Sequence, residues 1–75
     1  MQSPALALTN IKNEAETALE KYGHFRSPHE FYGVLMEEVH EFMLAMHAND
    51  EAGARMEAKQ IAAVAYRFYR DGWTR

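Results

Sequence analysis

The apolar residues of this 75-residue chain recur at steps of three and four, in three blocks separated by short polar stretches. In the first block Leu8, Ile11, Ala15, Ala18 and Tyr22 draw one stripe down the side of a helix. Ser3-Pro4, a capping residue followed by proline, marks its start, and Lys21 with Gly23 marks its end. The second block opens on Ser27-Pro28-His29-Glu30, which joins an N-cap serine, a first-turn proline and a capping-box glutamate. Its pattern runs to about His47. Gly33 inside it costs about 1 kcal/mol relative to alanine; either something approaches closely there or the residue lies on the outer face. Ala48-Asn49-Asp50 is a short polar connection in which Asn49 or Asp50 caps a third helix, which extends to about Arg70 and closes at Asp71-Gly72. Nothing alternates with the strand period. The pattern predicts an all-α fold and a single domain over residues 1–75, with helices 2 and 3 antiparallel because their connection is short.

Placing the residues at about 100° apiece exposes a conflict within that pattern. Phe31, Val34, Leu35, Phe42, Ala45 and Met46 fall on one broad face of helix 2, and Glu38 lies near its middle with Glu41 at its edge. On helix 3, Ile61, Val64, Ala65 and Phe68 share a face with Glu57, and Gln60 lies at its margin beside Arg67. A carboxylate turned into an apolar face is costly unless it is paired, protonated or bound to a cation. Residues three apart are neighbours on a helix, so antiparallel packing of helices 2 and 3 brings Glu38, Glu41, Glu57 and Gln60 together. Such oxygen ligands suit a hard cation, Mg²⁺ or Mn²⁺. Each glutamate alone reads equally as a snorkelling side chain or as the partner of Lys12, Arg55 or Arg67.

Glu37 and His40 have the Glu-x-x-His spacing of di-iron bundles, but they fall on the polar side and have no second copy. His24, His29, His40 and His47 form no ligand pair; His40 and His47 read as surface residues, and His24 and His29 flank the start of helix 2. Tyr66, Phe68, Tyr69 and Trp73 read as core and interface rather than as a base-stacking platform.

Composition narrows the partners. The formal net charge is −3 and the basic residues are scattered, which gives a nucleic-acid backbone nothing to follow. The absence of cysteine excludes disulfides and thiolate metal sites, and with it goes the expectation of a cytoplasmic protein. Ala5-Leu6-Ala7-Leu8 is too short for a signal-peptide core, and no apolar run approaches the roughly 20 residues needed to span a bilayer, so no membrane partner is expected. A helical chain this short completes its core by self-association, so an oligomer is expected.

The run His29-Glu30-Phe31-Tyr32-Gly33-Val34-Leu35-Met36-Glu37-Glu38-Val39-His40-Glu41-Phe42 resembles the first metal motif of MazG-like proteins, all-α nucleoside triphosphate pyrophosphatases. Their signature is Glu-x-x-Glu on one helix and Glu-x-x-Asp on the next. Glu38 and Glu41 match the first pair and Glu57 begins the second, and the similarity covers roughly residues 20–70. The stretch Gln60–Phe68 is similar to that of small MazG-like proteins of phages and mobile elements. The resemblance implies hydrolysis of a nucleoside or deoxynucleoside triphosphate to the monophosphate and pyrophosphate, in nucleotide-pool housekeeping. It implies Glu38, Glu41 and Glu57 as catalytic metal ligands for Mg²⁺, Lys12 and Arg67 as phosphate contacts, and a homodimer or dimer of dimers that completes a four-helix bundle across subunits. Gln60 departs from the pattern, standing where the family carries aspartate. The chain is also short of the further helix that fuller members have. The alternative is a catalytically weak or inactive MazG-like module that binds nucleotide or protein.

Overall fold

The computed structural model describes residues 1–74. Three helices, α1 (Pro4–Tyr22), α2 (Pro28–His47) and α3 (Glu51–Asp71), account for most of them, and no strand is present among the described residues. Each helix starts where its capping signal stands. Ser3 Oγ accepts from the Leu6 amide at 3.1 Å, Ser27 Oγ from Glu30 at 3.1 Å, and Asp50 Oδ1 from Gly53 at 2.9 Å. Asp50 is thus the α3 cap. Asn49 takes the left-handed turn before it at φ 56°, and the Asn49 and Asp50 amides return to the Met46 and Ala45 carbonyls in a Schellman closure of α2.

α3 lies between the other two helices. α1 and α2 each pack against it and not against one another, which flattens the molecule to 40 × 27 × 18 Å. α2 runs antiparallel to α3, as Phe31 stacks on Phe68 while Glu38 and Glu41 approach Glu57. α1 runs parallel to α3: Glu14 meets Gln60, and Gly23 further along meets Arg67. Only the middle of the α1 stripe is covered, with Ala15 buried, while Leu8 at its start is 67% exposed and Tyr22 at its end 64%. The ends of that predicted stripe reach solvent because a single helix covers it. Gly33 lies on the exposed side of α2 with nothing approaching it.

The best-packed region is the end where α1 gives way to α2. Phe25, Phe31, Phe68 and Trp73 form a continuous aromatic run, with centroid separations of 5.3, 4.2 and 5.4 Å. The residues after α3 close this end, since the Thr74 amide donates to the Phe25 carbonyl at 2.8 Å. Of the aromatic residues expected to cluster, Phe68 and Trp73 join this run, Tyr66 lies under the Arg70 guanidinium, and Tyr69 is 90% exposed. The chain turns at Gly23, whose φ of 77° and ψ of −169° lie in a region open essentially to glycine alone. Gly23→Ala therefore lowers stability by about 1–3 kcal/mol, read as a fall in the melting temperature with helix content retained.

Candidate metal centre

The two i, i+3 positions on α2 and one position on α3 are brought together by the antiparallel packing. Glu38, Glu41 and Glu57 each present a carboxylate oxygen, and the three oxygens lie within 4.8 Å of one another. Glu38 and Glu57 are half-buried and Glu41 is exposed, so the cluster sits at the edge of the α2–α3 interface and opens to solvent. Among the described residues no lysine or arginine forms an ion pair with it. The ion pairs with Lys12, Arg55 or Arg67 that a structural role could use are not formed among the described residues.

Three carboxylates at this spacing oppose one another's ionisation. Burial raises the Glu38 carboxyl to about 7, helped by hydrogen bonding to Glu57 and by the charges of Glu41, Glu57 and Glu37. Glu41 is also raised, first by hydrogen bonding to Glu57 and then by its charge. Those hydrogen bonds need a proton on one carboxyl of each pair. When all three are ionised no donor remains among them, and Glu57 Oε2 is a buried side-chain oxygen without a hydrogen-bond partner. A divalent cation between the three groups would satisfy that oxygen and remove the repulsion together. The residues present therefore fit such an ion.

The other expected site residues are placed differently. Gln60, the expected fourth corner, donates from its amide nitrogen to Glu14 on α1 at 2.6 Å, and Lys59 pairs with the same carboxylate at 3.6 Å. Lys12 is exposed on α1. Arg67 is 5% exposed: its Nη2 donates to the Gly23 carbonyl at 2.8 Å, and its guanidinium carbon lies 4.4 Å from the Phe25 ring centroid. Burial lowers its proton affinity. Its first role is to fasten the α1–α2 connection to α3.

Because α1 and α2 do not touch, a cavity of about 420 Å³ opens between them over α3. Glu38 and Glu37 stand on its α2 side and Tyr22 on its α1 side, with Val64, Gln60 and Arg67 among its other lining residues. Helical periodicity carries no sign of this cavity, because it depends on α3 separating the other two helices. Glu37 and His40 are exposed and gather no further ligands, so the Glu-x-x-His spacing builds no second centre among the described residues. His24 approaches Asp71 at 3.6 Å instead. No helix among the described residues is long and apolar enough to cross a membrane. Comparison with known proteins finds no family model, curated protein or solved structure that matches the chain.

Proposed function

We propose that this protein is a metal-dependent nucleoside triphosphate pyrophosphohydrolase, converting a nucleoside or deoxynucleoside triphosphate and water to the monophosphate and pyrophosphate. The observation that carries the reading is the convergence of Glu38, Glu41 and Glu57, without a lysine or arginine partner among the described residues, with Glu38 also lining an open cavity. Their match to the MazG-like metal motif supplies the reaction. Mg²⁺, or Mn²⁺ in its place, held by these three carboxylates would neutralise charge on the phosphate oxygens as the bond between the α and β phosphates breaks. Glu38, Glu41 and Glu57 would hold the cation at the edge of the α2–α3 interface, and Glu38 also lines the cavity. Tyr22 and Val64 give the cavity apolar surface against which a base can lie, and Arg67 is among its other lining residues. The working unit is a homodimer or a dimer of dimers, the arrangement in which the resemblance completes a four-helix bundle.

The second reading, a weakly active or inactive module that binds nucleotide or protein, draws on Gln60. Its amide is tied to Glu14, and it brings no charge where the family's pattern has a fourth carboxylate. A panel of ribo- and deoxynucleoside triphosphates separates the two. The enzyme reading expects pyrophosphate release in Mg²⁺ that stops in chelator and falls to background in Glu57→Gln. Silence across the whole panel, with triphosphate still bound, establishes the second reading instead.

A further inference from the structure

α2 carries two heptad-spaced stripes side by side. Phe31, Leu35, Glu38, Phe42 and Ala45 advance by steps of four and three, and Phe31 and Glu38 meet α3 directly. Tyr32, Met36, Val39, Met43 and Met46 advance by the same steps one residue further round, and no charged residue interrupts them. This second stripe stands largely in solvent: Tyr32 is 63% exposed, Met36 41%, Met43 43% and Met46 55%. Steps of three and four are the spacing by which one helix meets another along a coiled-coil seam. Consistent with a missing neighbour, α2 has no buried residue along its whole length.

The exposed surface is also large for a folded monomer of this size. The chain exposes 5597 Å², whereas a folded monomer of its 8.6 kDa exposes about 4,700 Å². The surplus of about 900 Å² is close to the roughly 800 Å² that each partner contributes to a standard protein interface. We propose that the Tyr32–Met46 stripe is the seam of a homodimer, with α2 packed on α2 of a second copy about a two-fold axis near Val39. A second copy suits it because the stripe is uncharged and apolar throughout, and an isologous contact must be self-complementary. Methionines adapt their shape to one another across such a contact. Glu38 and Glu41 lie roughly 120° and 180° round the helix from the midline of the seam, so pairing leaves the carboxylates and the cavity open. The inference deepens the oligomer proposed above by naming its surface, and it does not rest on the catalytic reading.

Sedimentation of the purified chain tests it. The wild type is expected at twice 8.6 kDa or, as a dimer of dimers, at four times, and Met36→Glu with Met43→Glu halves that mass while circular dichroism keeps its helical signal. A wild type that sediments as a monomer, or a helical double variant that keeps the wild-type mass, overturns the seam. Should the double variant unfold, Val39→Cys decides, since the chain has no cysteine of its own. Mild oxidation then links the two copies through residue 39 if the seam is right, and the absence of that disulfide dimer overturns it. Mn²⁺ affinity measured on a folded double variant is expected to equal the wild type, so failure of the seam and failure of the metal site are read independently.

Discussion

Glu38→Gln makes the metal-free protein more stable at pH 8 and takes away its stabilisation by Mn²⁺ or Mg²⁺. In the folded protein the Glu38 carboxyl is raised from 4.5 to about 7, by burial first and then by Glu57 and Glu41. The folded state therefore binds this proton more tightly than the unfolded state. The stability it contributes is fully present below about pH 4.5 and lost as pH rises through 7. At pH 8 the ionised group opposes folding. Glutamine keeps the shape without the charge, so the metal-free variant gains about 1–2 kcal/mol after allowance for solvent screening at this half-buried position. That is roughly 5–10 °C in melting temperature for a chain of this length. The same change removes one of three anionic ligands, and cation affinity falls by at least about tenfold, or 1.4 kcal/mol. Melting curves at pH 5 and pH 8, each with chelator and with Mn²⁺, read both effects. The gain from glutamine is present at pH 8 and small at pH 5, and the wild type alone responds to the ion. A Glu38→Gln protein that is less stable at both pH values means that the carboxylate is a structural partner.

Arg67→Ala has the larger effect on folding. The side chain is almost fully buried, its Nη2 donates to the Gly23 carbonyl, and it covers the Phe25 ring. Alanine leaves that carbonyl without its donor and opens a space beneath Phe25, the only large side chain among the buried apolar residues. The unpaired carbonyl costs about 1–3 kcal/mol, and the lost packing adds to it. A total of about 3 kcal/mol lowers the melting temperature by roughly 15 °C. Thermal melting in the absence of any nucleotide reads it. A side chain that only met substrate phosphate would leave that melt unchanged, and an unchanged melt contradicts the fastening role.

The helices were legible because their ends are marked chemically. Ser3-Pro4, Ser27-Pro28 and Asp50 announce three starts, and α1 and α2 begin at their signals. The acidic cluster was legible because a carboxylate on an apolar stripe violates the pattern, and the antiparallel α2–α3 register follows from a connection of three residues. The arrangement of α1 was not legible in the same way. Its stripe records that one side meets something, but not that the neighbour is α3 rather than α2, nor that the two run parallel. The cavity beside Glu38 follows from that placement, and so does the commitment of Gln60 to Glu14. Arg67 read as a phosphate contact because its partner is a backbone carbonyl, which leaves no trace in side-chain spacing. The second α2 stripe was present in the sequence as Tyr32, Met36, Val39, Met43 and Met46. It lies beside the core-facing stripe with the same spacing, and only burial shows that it lacks a neighbour.

The proposed function requires Glu38, Glu41 and Glu57 to hold one divalent cation. Anomalous diffraction from crystals soaked in Mn²⁺ tests it most directly. A single peak is expected between the three carboxylates, at metal–oxygen ligand distance from each, and it disappears in Glu57→Gln crystals soaked in the same way. A map with no peak there, or with Mn²⁺ bound only elsewhere on the surface, contradicts it.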